Sequence, residues 1–107
     1  MAINKSSSFN QRSQDLAGYA SAVAHPAKVI LLERLALYGT QTCGELANAL
    51  PLAQSTVSQH LKSLTRSGLI VMEVDGLKSN YSLDLKSVEE MRTRVDELMN
   101  KLSNPMI

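Results

Sequence analysis

The stretch Gln54-Ser55-Thr56-Val57-Ser58-Gln59-His60-Leu61-Lys62-Ser63-Leu64-Thr65-Arg66-Ser67-Gly68 decides how this chain folds. Its large apolar residues, Val57, Leu61 and Leu64, are spaced by four and then three positions, which is the repeat of one helical face. The spacing predicts a helix from about Gln54 to Ser67, stopped by Gly68. With that stripe turned inward, Ser55, Ser58, Gln59, Lys62 and Arg66 face away. Short hydrogen-bonding groups thus stand near the N-terminus and cations further along.

Upstream, Pro51-Leu52-Ala53 makes a tight connection, and Thr42-Cys43-Gly44-Glu45 reads as a capping box that opens a short helix with Leu46, Ala47 and Leu50 inward. Before that, His25-Pro26 breaks one helical pattern and starts another, because proline is excluded from a helix interior but suits its first position. The second helix carries Ala27, Leu31, Leu35 and Tyr38 on one stripe and stops at Gly39. A first helix is expected over residues 13–24, with Ser13 as N-cap, Asp15 in the first turn, and Leu16, Tyr19 and Val23 on one face. Residues 1–12, with Ser6, Ser7 and Ser8, read as a flexible tail.

Downstream, Leu69-Ile70-Val71-Met72-Glu73-Val74 is apolar and rich in β-branched residues, Asp75-Gly76 is a turn pair, and Tyr81 and Leu83 alternate with polar residues. This predicts a two-stranded hairpin. Ser87 and Glu90 then offer a second capping box, and Val88, Met91, Val95, Leu98 and Leu102 repeat at spacings of three and four through a helix over residues 87–103. The reading is a mainly α domain over residues 13–104 with about five helices and one small β-hairpin. There is no internal repeat.

The chain has 107 residues, 44% hydrophobic, enough for one modest core and too few for a two-domain enzyme. No stretch approaches the length of a membrane span, the start is polar rather than signal-like, and the single cysteine cannot form an internal disulfide, so a cytoplasmic protein without membrane contact is expected. The net charge of +1 gives no bulk signal for nucleic acid. Any such signal lies in local geometry. A short helix, a tight turn, a polar-faced helix and a hairpin form the order in which a recognition helix enters the major groove and a wing touches the flanking backbone. Gln and Ser can exchange hydrogen bonds with base edges, while Lys and Arg neutralise phosphates. An ordinary solvated helix face has the same composition.

The chain resembles the ArsR family of bacterial winged-helix repressors through Ala24-His25-Pro26-Ala27-Lys28, Glu45-Leu46-Ala47, the run Gln54 to Leu64, and Ser67-Gly68-Leu69-Ile70. The resemblance covers about residues 15–102. It implies a winged helix-turn-helix homodimer that binds double-stranded DNA at a short imperfect palindrome and whose affinity an effector changes. The sequence identifies no effector. Expected DNA-facing residues are Gln54, Ser55, Thr56, Ser58, Gln59, His60, Lys62 and Arg66, with Lys78 in the wing. Metal-sensing members often carry a Cys-x-Cys pair where this chain has Thr42, Cys43 and Gly44, and others use histidines of the final helix, of which residues 85–103 have none. No metal or other cofactor is therefore expected.

His25 reads as a cap before Pro26, and His60 as a structural or phosphate-contacting residue beside the apolar stripe. Cys43 reads as a buried or half-buried thiol, although a first-turn position would lower its pKa and permit a redox role. Leu16, Tyr19 and Val23 of the first helix and Val88, Met91, Val95, Leu98 and Leu102 of the last need more cover than so small a domain supplies. Sharing both terminal helices across a twofold axis answers that need. A winged-helix module that binds another protein through the same polar face is the alternative function. No nucleophile, base and acid combine into a catalytic set, so an enzyme is not expected.

Overall fold

The computed structural model describes residues 8–106, which form five helices and three short strands. The first helix, α1 (Gln11–Ala22), opens two residues before the expected Ser13. Asn10 is its N-cap, the side-chain oxygen accepting from the Ser13 N–H at 2.8 Å. Ser13 is thus the third helical residue, Asp15 stands one turn further in, and Gln11 and Arg12 belong to the helix rather than to a tail. Residues 1–7 of that tail lie outside the described residues.

α2 (Pro26–Tyr38) begins as its sequence predicts: Pro26 takes the first position and His25 Nδ1 accepts from the Ala27 N–H at 3.0 Å. It ends at Gly39, whose φ of 75° suits glycine. Tyr38, expected on the inward stripe, is exposed, with the Arg34 guanidinium 4.6 Å from its ring centre. Beyond it, β1 (Gln41–Thr42) leads into α3 (Cys43–Ala47). The capping box there is complete, with Glu45 N–H donating to Thr42 Oγ1 at 3.2 Å and Thr42 N–H to Glu45 Oε1 at 3.0 Å.

α4 (Gln54–Ser67) buries Val57, Leu61 and Leu64, and Gly68 ends it in the left-handed conformation, as the periodicity requires. β2 (Ile70–Asp75) and β3 (Lys78–Leu83) are antiparallel, closed by the pair Asp75 and Lys78. The loop is therefore Gly76-Leu77, one residue later than expected, with Gly76 at φ 63°. Positive φ at the first loop position matches the right-handed twist of a hairpin. The sheet has a third strand that the sequence does not announce, because β1 pairs with β3, Gln41 against Tyr81 and Thr42 against Asn80, in the order β1-β3-β2.

α5 (Leu85–Ser103) also starts earlier than expected, and the Ser87–Glu90 capping box does not form. The Asp84 N–H donates to the Leu69 carbonyl, which carries the strand ladder up to Asp84, and the Asp84 carboxylate then accepts from the Ser87 N–H at 3.1 Å. Strand end and helix cap coincide in one residue.

One core joins these elements. Leu31 and Leu35 of α2, Leu46 of α3, the α4 stripe, and Leu69, Ile70 and Tyr81 of the wing base are all buried in it. At roughly 1.5–3 kcal/mol for each large apolar side chain removed from water, this cluster is what fixes α4 against α2 and α3. α1 and α5 run antiparallel along one side, with Arg12 on Glu97 at 3.3 Å, Asp15 on Arg94 at 3.7 Å, and Tyr19 OH donating to Glu90 at 2.7 Å. No described helix is long and apolar enough to cross a membrane.

Candidate nucleic-acid interface

The inward stripe of α4 fixes what the helix can present. Gln54, Ser55, Thr56, Gln59, Lys62 and Arg66 are exposed, and Ser58 is half-buried at the edge of the same surface. α4 contains no acidic residue, so nothing on it repels phosphate. Its N-cap, Ala53, has no side chain that can accept, which leaves the first N–H groups open at the positive end of the helix dipole. The approach to this surface is therefore favourable to an anion at the N-terminus and to phosphates along the flank.

Beside that N-terminus, Gln54 shares a cleft of about 380 Å³ with Thr42, Cys43, Gly44 and Glu45 of the α3 start and Leu77, Lys78 and Ser79 of the wing. Lys78 is exposed there, and its charge helps to hold the Glu45 carboxyl below the usual carboxylate range, after the larger effect of hydrogen bonds from Thr42. Leu77, at the tip, is fully exposed. Cys43 is half-buried, and burial pushes its thiol up, opposite to the lowering that its first-turn position suggests. A five-residue helix has too little dipole to offset that desolvation.

His60 stands apart from its neighbours in sequence. It is half-buried, and its ring centre lies 4.5 Å from that of His25 at an interplanar angle of 42°. Burial, and then the charges of His25 and Lys28, push its pKa down. Lys28 donates to Ser63 Oγ at 2.8 Å, so the start of α2 clasps the flank of α4. Sequence reasoning assigned no interface role to His25, Lys28 or Ser63. The only signal available was the helix restart at His25-Pro26, which says nothing about what lies across from it.

The terminal helices divide differently from the expected seam. Tyr19 is buried within its own chain, and Val23, Val88 and Met91 pack against the same core. Leu16 is half-buried. Val95, Leu98 and Leu102 are exposed, and none of the 19 residues of α5 is buried. The apolar seam therefore serves the chain's own core in its first half and faces outward in its second.

A short helix, a turn, an acid-free helix locked by its apolar stripe, and a hairpin with a cation beside its tip define a winged helix-turn-helix DNA-binding protein. Comparison with known proteins agrees. Residues 23–73 match the family model described as "Helix-turn-helix domain". The chain is 36% identical over 80 residues to the HTH-type transcriptional regulator Rv2034 of Mycobacterium tuberculosis, covering 75% of this chain and 74% of that protein. The crystal structure of a possible transcriptional regulator for arsenical resistance superposes with a TM-score of 0.67 at 30% identity, covering 81% of this chain and 95% of that one. The homodimeric winged helix-turn-helix DNA-binding domain of a possible ArsR-family regulator from Mycobacterium bovis has the same fold, with a TM-score of 0.67 at 19% identity and coverage of 94% and 92%.

The chain belongs to the helix-turn-helix transcriptional regulators, and its fold is the winged form seen in the ArsR-type domains. It is a DNA-binding regulator of transcription, and the relatives it matches are regulators rather than enzymes.

Proposed function

We propose that this regulator is a cytoplasmic homodimer that represses transcription by placing two copies of α4 in successive major-groove segments of a short, imperfectly palindromic operator. It acts by binding, without a catalytic step. The observation that carries the reading is the outward half of α5: Val95, Leu98 and Leu102 form an apolar stripe, exposed in the single chain, on a helix with no buried residue. A twofold contact along α1 and α5 covers that stripe and leaves both α4 surfaces free. The Mycobacterium bovis domain of the same fold is homodimeric, which supports this arrangement. Two recognition helices related by a twofold axis read a palindrome, because operator symmetry mirrors protein symmetry.

In this reading Ser55, Ser58 and Gln59 face base edges, Gln54 and Thr56 the start of the groove, and Lys62, Arg66 and Lys78 the phosphates. His60 serves the flank rather than the groove floor, since His25 covers one side of it. Fragments selected from genomic DNA and titrated by fluorescence anisotropy at two salt concentrations test the proposal. A dimer-stoichiometric complex on a palindromic site, with affinity falling steeply with salt, is the expected result. Binding as a monomer to asymmetric sites would overturn it.

A further inference from the structure

We propose that His25, His60 and Lys28 form a phosphate site at the flank of α4 that takes up a proton as DNA binds. The proposal rests on the DNA-binding reading of α4 and adds a linkage between that binding and pH. Its first support is the juxtaposition itself. Two imidazoles 4.5 Å apart and one ammonium are gathered between the start of α2 and the middle of α4, at the edge of the surface that faces DNA.

The second support is the hydrogen-bond accounting. His25 Nδ1 accepts from the Ala27 N–H at 3.0 Å, so a neutral His25 carries its hydrogen on Nε2 and offers a donor outward. Protonating His25 would turn the capping nitrogen into a second donor and break the cap. His60 makes no hydrogen bond among the described residues, so it is the imidazole free to accept the proton. The same bookkeeping disfavours a metal bridge between the rings, because His25 has no lone pair left to give.

The third support is the charge around the pair. From α2 the neighbours of His60 are His25 and Lys28, and from α4 itself Lys62 and Arg66 lie toward the outer face. α1 also packs on α4, but its Arg12 and Asp15 are engaged with Glu97 and Arg94 of α5. Glu45 of α3 is held by Thr42, and Glu73 and Asp75 of β2 lie toward the exposed end of the wing. Among the described residues no carboxylate offsets the effect of His25 and Lys28 on His60. In the free protein burial, and after it the charges of His25 and Lys28, disfavour a proton on His60; a DNA phosphate supplies the missing negative charge, and a proton then binds.

The experiment is anisotropy titration of operator and random duplexes between pH 5.5 and 8 at fixed ionic strength, with the wild type, His60→Asn and His25→Asn. Asparagine at position 25 preserves an acceptor for the Ala27 N–H, so the cap survives. Wild-type affinity should rise as pH falls on both duplexes, approaching tenfold per pH unit for each protomer that gains a proton. His60→Asn should show a flat profile, so that its loss relative to wild type is smallest at pH 8 and grows as pH falls. His25→Asn should weaken binding at every pH by about tenfold, having lost one charge-assisted donor. A flat wild-type profile, or a His60→Asn profile as steep as the wild type, would overturn the proposal. Binding at pH 8 is the separate readout of the DNA-binding role and does not depend on the proton. Thermal melts of both variants at pH 8 confirm that the comparison is made on folded protein.

Discussion

Leu98→Ala is the sharpest probe of the proposed dimer, because the structure separates what Leu98 does within its own chain from what it offers a second copy. Leu98 is 40% exposed in the single chain. Full burial of a leucine is worth roughly 1.5–3 kcal/mol, so the exposed share can contribute about 0.6–1.2 kcal/mol to association, doubled by the twofold axis to about 1.2–2.4 kcal/mol. That corresponds to a dimer dissociation constant raised about 8- to 60-fold. The part of the side chain already covered contributes to folding in monomer and dimer alike and cancels. Met91→Ala is the internal contrast, since Met91 packs against the core: it should lower the thermal midpoint more than it weakens association. Sedimentation equilibrium over a range of protein concentrations measures the first effect, and thermal denaturation the second. A wild type that is monomeric at micromolar concentration, or a Leu98→Ala variant that associates as tightly as the wild type, would refute the reasoning.

Other expectations follow from the geometry of the interface. Gln59→Ala should weaken an operator more than random DNA, by about 1–3 kcal/mol if the side chain pairs with a base in bidentate fashion; equal losses on both duplexes would remove Gln59 from the base-reading set. Lys78→Ala should lower affinity for all sequences alike and reduce the salt slope by about 1 per subunit, and an unchanged slope would take the wing lysine off the phosphate backbone. Because His60 has a lowered pKa in the folded chain, the unfolded chain binds the proton first. Folding stability without DNA should therefore be full above about pH 6.5 and decline as pH falls below it, a decline that His60→Asn should lessen in urea titrations at pH 5 and pH 7.5. Zinc or a chelator should leave DNA affinity unchanged, and a stoichiometric submicromolar zinc site in calorimetry would contradict this.

Local chemistry determined much of this molecule. The stripe Val57, Leu61 and Leu64 needs only the helical repeat to define an inward face, and once that face is buried the polar residues of α4 have nowhere to point but outward. The Thr42–Glu45 box, the His25-Pro26 start and the stops at Gly39 and Gly68 are likewise contests between residues a few positions apart, settled by capping and backbone freedom. The sequence by itself therefore determined the order of the five helices and the hairpin and the composition of the DNA-facing helix.

Tertiary structure decided what depends on distant partners. β1 exists only because Gln41 and Thr42 find Tyr81 and Asn80, and no pattern in two residues could announce that. Ser87 and Asp84 are both competent caps; the ladder bond from Asp84 to Leu69 places Asp84 at the end of the sheet and gives it the role. Tyr19 lies in a stripe that looked free for a partner, yet Glu90 takes its hydroxyl and the core takes its ring, so the outward apolar surface shifts to Val95, Leu98 and Leu102. His25 and His60, 35 positions apart, meet because the core packs α2 across α4. Periodicity and capping act within a turn or two of chain, whereas strand pairing, shared burial and the approach of two imidazoles are fixed only when the core closes.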